Sequence, residues 1–351
     1  MVERVLSTSE LNRAVLSRQL LLERASLPPE DALAAVAGLQ TQYAPSGYIG
    51  LWSRLADFHR KTLTEALMAG RVVQAWVMRS TIHMVAARDY WPFTEAVRAT
   101  RREWWLRSAK PPSGLDMAAV AEAVRGYLAD GPRGRAEIQK RLVADGFPRQ
   151  AWPGVQLWLD LVRVPPAGTW GTPRAHVYGL AERAVPSPDP APTEDAAREL
   201  LVGRYLRAFG PASAADVASF CGWAIGTTRD VLARMALRRF RDESGAELVD
   251  VPDGPLPPAD TPAPVRFLGQ WEAVLLVHAR RAQVLPEEHR PKVFARNIPQ
   301  SVPTFLVDGR VAGTWRYVDG TVRCDPFDTL PASAERELAA EAERLAAFHA
   351  D

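Results

Sequence analysis

Two glutamines, Gln40 and Gln42, stand one residue apart in Leu39-Gln40-Thr41-Gln42-Tyr43-Ala44-Pro45. After Pro28-Pro29, the residues Leu33, Val36, Ala37 and Gln40 keep a 3-4-3 spacing, which puts Gln40 on the apolar stripe of a helix. Pro45 pushes Ala44 out of helical space, so Gln42 falls where that helix must stop. Carboxamides leaving a helix end beside Tyr43 and Tyr48 can point into one cavity. They can equally cap backbone groups at a buried turn. A carboxamide takes up no proton near neutrality, yet its oxygen can hold a water and face developing positive charge. The spacing alone leaves both readings open.

Other familiar chemistry is absent from the sequence. There is no GxSxG, no HExxH, no phosphate loop ending in GK[ST] and no dinucleotide GxGxxG. The six histidines are scattered, with no pair at ligand spacing on one helix, so neither a metal nor another cofactor is expected. No carboxylate cluster suggests the magnesium site of a nuclease. Cys221 and Cys324 are far apart and lack CxxC partners. That usage, the lack of a signal peptide and the lack of a long apolar run predict a cytoplasmic protein that does not enter membranes.

The basic residues are lopsided: four lysines against 39 arginines, within a net charge of only +2. Arginine's planar fork suits phosphate and base edges, although a GC-rich genome produces the same bias. In RATRREWWLR, residues Arg98, Arg101, Arg102 and Trp105 fall on one helical arc opposite Phe93, Val97 and Trp104. Such a basic, aromatic face suits phosphate and exposed base, or is simply solvated. The stretch Gly168-Thr169-Trp170-Gly171-Thr172-Pro173-Arg174-Ala175-His176 reads as the tip of a hairpin, an ordinary wing on residue grounds. Arg79 and His83 alternate on an earlier hairpin as candidate DNA contacts, with His83 either a backbone-bonded core histidine or a pocket-lining one. Arg234 and Arg238, four apart on a predicted helix, would share a face that reaches phosphate.

The elements that must hold these residues recur in order. The 351 residues are enough for two or three modules, and a 47% hydrophobic content is enough to build their cores. Ser7 to Glu10 has the form of a capping box ahead of a first helix. Three more helices and the hairpin VVQAWV/TIHMVA follow, which is the order of a winged helix-turn-helix. The order repeats from about residue 116 to the hairpin LVRVPPAGTWGTPRAHVYGL, and again beyond the proline-rich AVPSPDPAPT. After a second proline-rich stretch, TFLVDGRVAGTWRYVDGTVRC reads as a strand meander with Asp-Gly turns, and an amphipathic helix from about 332 to 349 ends the chain. The expected fold is α+β and mainly helical: three tandem winged helices over 1–110, 111–188 and 189–255, then a C-terminal α+β segment over 256–351. No heptad or other dimerisation helix stands out, so a monomer is expected.

Five stretches in order give the chain a family likeness: GLQTQYAPSGYIGLWSRL, RSTIHMV, GTWGTPRAHVYGLAE, YLRAFGPASAADVASF and VLPEEHRPKVF…PTFLVDGRVAGTW. Together they resemble the HTH_42 winged-helix family of bacterial DNA glycosylases, the AlkZ- and YcaQ-like proteins, whose founding activity is self-resistance to the cross-linking antibiotic azinomycin. The family's catalytic motif is Gln-x-Gln or Gln-x-Asp with an aliphatic middle residue; Thr41 departs from that pattern. The resemblance implies a monofunctional enzyme that releases N7-alkylated guanine from double-stranded DNA, with Gln40 and Gln42 catalytic and the 168–176 hairpin on DNA near the lesion. Trp315-Arg316 is a family signature with no mechanistic account. The rival reading is a non-catalytic winged-helix DNA-binding protein, such as a transcriptional regulator.

Overall fold

In the computed structural model of the chain, which describes residues 2–112, 114–276, 282–294 and 300–351, Ser7 caps the helix Thr8–Arg18. Its hydroxyl accepts from the Glu10 N–H while the Glu10 carboxylate accepts from the Ser7 N–H, as the capping box predicts. The strand ahead of that helix, Val5–Leu6, was not foreseen. It pairs parallel with Arg238–Asp242, which pairs antiparallel with Glu247–Asp250.

The architecture is α+β and mainly helical, as expected. The first two hairpins do not stand apart as separate wings. They join in one antiparallel sheet of six strands, in the order Leu39–Gln40, Ile82–Ala86, Val72–Trp76, Leu161–Arg163, Val177–Leu180, Arg133–Gly134. The seam between them is the pairing of Ala75 with Val162. Near the C-terminus, Thr304–Val307, Arg310–Val318 and Thr321–Pro326 form the predicted meander, and Arg266–Leu268, outside the predicted stretch, adds a fourth strand at its edge. Its turns place Asp308-Gly309 and Asp319-Gly320 at positive φ, the geometry that two-residue hairpin loops require. The last helix, Ala332–Ala350, lies where its pattern put it.

One apolar cluster runs from Val15 in the first helix through Phe93 in Ala87–Ser108 and Tyr205 in Glu194–Phe209 to Leu306 in the meander. Buried ion pairs cross the same ground. Arg18 makes a two-pronged contact with Asp250, and Arg54 does the same with Glu272; all four side chains are sealed from solvent.

Three local expectations are corrected. Gln40 is not helical: the helix Pro29–Ala35 ends because Ala37 and Gly38 both take positive φ (58° and 81°), and Leu39–Gln40 continues as a strand. Arg234 and Arg238 share no helix face, because Ile225–Arg234 ends at Arg234 and Arg238 opens a strand. On Ala87–Ser108 the tryptophans exchange places. Trp105 is packed in a core with Trp152 and Met117, while Trp104 is half exposed. The reason is the second group of helices, which packs onto this end of Ala87–Ser108 and selects the face that the local pattern left ambiguous.

Candidate functional site

The motif is positioned by how its helix stops. The Gly38 N–H reaches back to the Leu33 carbonyl, 2.8 Å away, and its left-handed backbone turns the chain onto the sheet. A Cβ at Gly38 would meet the Met84 carbonyl oxygen and Val85 Cγ1 at 3.0 Å, so glycine is needed for space as well as for φ. Leu39 and Gln40 then pair with Met84 and His83. The Thr41 N–H donates to the Ile82 carbonyl at 2.8 Å, and the Ile82 N–H lies 3.4 Å from Gln42 Oε1. Thr41 is fully buried, Gln42 partly so, and the helix Pro45–Arg54 begins immediately afterwards.

Gln40 is buried, and its Oε1 accepts a 2.8 Å hydrogen bond from Arg79 Nη2. Because a guanidinium only donates, this contact fixes which end of the amide faces Arg79. Arg79 itself has φ 51°, ψ 24°, with Ser80 likewise at positive φ, a tight turn between the strands Val72–Trp76 and Ile82–Ala86. Its guanidinium lies over Phe220 and has no carboxylate partner among the described residues, and its buried Nη1 has no hydrogen bond. Burial lowers its pKa to about 10, which leaves it charged at neutral pH. Arg101 joins the same turn from the helix Ala87–Ser108, donating to the Trp76 carbonyl at 3.1 Å, and burial likewise lowers its pKa to about 10.

His83 sits across the strand pair from Gln40. Its Nδ1 is 3.0 Å from the Thr81 carbonyl, and burial, with Arg79 and Arg101 nearby, pushes its pKa down to about 3. It is therefore neutral, with Nδ1 donating. This is the core, backbone-bonded alternative for His83, placed directly behind the motif. Neither glutamine amide nitrogen has a partner among the described residues, and no carboxylate bonds to either side chain.

The structure thus brings Gln40, Gln42, Arg79, His83 and Arg101 together, and leaves the other predicted contacts dispersed. Arg98 is ion-paired with Asp160 and Glu95. Arg102 donates to the Leu157 carbonyl at 2.7 Å and lies over Trp158. Trp105 is in a core, as placed it offers no ring to DNA. Arg234 pairs with Asp195 and Glu199, and Arg238 with Glu3. The stretch 164–176 is a folded loop of turns between two short strands, not an extended hairpin. Trp170 tucks inward at its tip, 5.7 Å from Tyr48 and 5.2 Å from His349 between ring centres, with Arg60 over its face. Arg174 is exposed with no ion pair among the described residues. His176 is half-buried beside Tyr178, with its pKa lowered by burial and by nearby Arg163 and Arg135.

Two residues that hold this loop escaped the sequence reading. Gln74 Nε2 donates to the Gly168 carbonyl at 2.6 Å, and Arg163 donates to Gln74 Oε1 and, at 2.7 Å, to the Ala175 carbonyl. Their signal was present: each is a polar residue inside a short apolar strand run, where it costs free energy unless bonded. Among the described residues no three His, Cys, Asp or Glu side chains are grouped to hold a metal, and no helix is long and apolar enough to cross a membrane.

The model of the family described as DNA glycosylase AlkZ-like matches residues 33–348, a span that includes the glutamine pair and the loop. A relative from Streptomyces sahachiroi, an interstrand DNA cross-link repair glycosylase, is 26% identical over 369 aligned positions that cover 94% of each chain. A solved structure of the Streptomyces sahachiroi DNA glycosylase AlkZ superposes with a TM-score of 0.81 at 22% identity, covering 98% of this chain and 97% of that one.

Proposed function

This chain belongs to the AlkZ-like DNA glycosylase family, and from that premise we propose that it hydrolyses the N-glycosidic bond of guanine alkylated at N7 in double-stranded DNA, with Gln40 and Gln42 as its reacting pair. The observation that carries the reading is the make-up of the motif: two carboxamides, one held by a buried cation, with no carboxylate among the described residues bonded to either. Such a site has no general acid. A guanine alkylated at N7 needs none, because it already carries a positive charge and leaves as a neutral base. The sugar becomes oxocarbenium-like and requires a positioned water, as in glycoside hydrolysis.

The two amides divide the work. Arg79 occupies one side of the Gln40 oxygen, which leaves the Gln40 –NH2 as a donor toward DNA. Gln42 is only partly buried, and the long contact to the Ile82 N–H leaves its oxygen with capacity to hold the attacking water. The four lysines are sparse, and Lys61, the nearest in sequence, is exposed and paired with Glu65. Among the described residues no lysine bonds to either glutamine, and the proposed reaction stops at an abasic site.

The Streptomyces sahachiroi relative is an interstrand DNA cross-link repair glycosylase, and action of this chain on cross-links and other bulky adducts is part of the proposal. So are a monomeric state, the divisions at 110, 188 and 255, and the winged-helix character of the three helix-then-hairpin units. Among the proposed phosphate contacts, Arg174 is available as it stands. Arg98, Arg234 and Arg238 would exchange a carboxylate for a phosphate. Substrate charge tests the reading. The enzyme should release N7-methylguanine from duplex DNA and leave uracil and 8-oxoguanine untouched, with no borohydride-trapped protein–DNA adduct. Comparable release of neutral bases would contradict it.

A further inference from the structure

Directly after the motif the chain enters the wall of a cavity of about 490 Å³, within the usual range of small-molecule sites. Five separate elements supply that wall. Tyr43 comes from the motif turn and Ser46 from the helix Pro45–Arg54, while Trp170 comes from the folded loop. Trp315 and Tyr317 come from the meander, and His349 from the last helix. Trp315 is fixed by a 3.0 Å bond from its Nε1 to the Leu268 carbonyl, and Tyr317 stacks on His349 with ring centres 4.2 Å apart.

The wall is aromatic but not wholly apolar. Ser46 is 6% exposed, and its hydroxyl has no partner among the described residues; His349 Nε2 is likewise buried and unbonded. Of the charged side chains on the wall, only Arg316 is present among the described residues, and it is neutralised by Asp325 at 2.6 Å. Burial and nearby Arg60 push the His349 pKa down to about 4, so it adds no charge at neutral pH. A cationic base finds no anion here. A flat, uncharged ring system finds the stacking faces of an aromatic wall. The space also exceeds what one nucleobase fills.

We infer that this cavity is a subsite for the planar, uncharged aromatic portion of a guanine adduct, the part that extends from the alkylated base while the base itself lies at Gln40 and Gln42. The inference rests on the glycosylase reading of the motif, which Tyr43 joins to the cavity. It gives Trp315 a role, as the fixed floor against which such a ring would lie.

The test uses duplexes that carry one guanine alkylated at N7 with either a methyl or a naphthylmethyl group, on a 2′-fluoroarabino sugar that resists cleavage. Full-length wild type should bind the naphthylmethyl duplex about tenfold more tightly than the methyl one, a gain typical of one stacked ring. Tyr317→Ala should bring the ratio close to one without weakening the methyl duplex, and Tyr317→Phe, which keeps the ring, should restore it. Tyr317 is 37% exposed, so its loss leaves the core intact. A wild-type ratio of one, or equal weakening of both duplexes by Tyr317→Ala as expected for an everted ordinary base, would overturn the subsite. Release of N7-methylguanine from an ordinary sugar separates the two claims. Release with a ratio of one discards the subsite alone, and a tenfold ratio without release discards the proposed chemistry alone.

Discussion

The 2.8 Å contact between Arg79 Nη2 and Gln40 Oε1 sets a charged donor behind an uncharged amide, in a place where no carboxylate among the described residues answers the charge. A buried cation left in that state costs free energy, which argues for a function tied to where it stands. Arg79, a candidate DNA contact in the sequence, points into the protein, toward Gln40 and Phe220. Its proposed role is to orient the Gln40 amide. Lysine would keep the charge and lose the fixed fork, so Arg79→Lys should lower the single-turnover rate of base release by about tenfold or more. DNA affinity should stay within about twofold, because no phosphate contact is removed. Weaker DNA binding with an unchanged rate would instead return Arg79 to the role of a DNA contact. His83 belongs to the same arrangement as a neutral ring behind the motif.

At the scale of elements, the motif depends on how the strand Leu39–Gln40 and the helix Pro45–Arg54 fit together. A Cβ on Gly47 would lie 2.7 Å from both Thr41 Cγ2 and Met84 Sδ, so Gly47 makes the room that the Thr41 methyl fills. The Thr41 hydroxyl is buried without a partner among the described residues. Thr41→Val keeps the shape and removes the unsatisfied group, so it should stabilise the protein by about 1 kcal/mol in urea unfolding, with base release unchanged. A loss of stability would mean that the hydroxyl has a partner the structure does not hold. This site also marks the limit of what was legible in sequence. Helix starts read correctly where capping was local, as at Ser7, and the Asp-Gly turns fixed the meander. The end of Pro29–Ala35 was misread because 3-4-3 spacing continued through Gly38, which the neighbouring strand packs against too closely for a Cβ. Trp104 and Trp105 were exchanged because adjacent positions near a stripe edge are separated only by what packs there. Gln40 and Gln42 were legible as a pair, but Arg79 reaches Gln40 only through a 39-residue separation that no spacing rule spans.

Across the whole molecule, the first helix is locked to the third unit by the Arg18–Asp250 pair, sealed so closely that a Cβ at Gly210 or Gly254 would strike it. Removing one partner of such a pair strands the other charge, so Asp250→Ala should lower unfolding free energy by about 3–5 kcal/mol. Chemical denaturation would measure this, and a change below about 1 kcal/mol would show that the pair stabilises little. The continuous core gives this lock its meaning, because the sheet carrying the motif packs into the same cluster as Glu194–Phe209. A second cluster joins Leu39 at the motif to Phe348 of the last helix, with Trp170 of the loop packed against it, so the three sites are held in one frame. The central claim is that the two glutamines perform the reaction within that frame. It is tested most directly by single-turnover release of N7-methylguanine by wild type, Gln40→Ala and Gln42→Ala, with DNA affinity measured alongside. Both variants should lose release by at least about a hundredfold, the scale of a lost preorganised polar group, while binding DNA as wild type does. Release that survives both substitutions would contradict the account, even if the protein proves to be an active glycosylase.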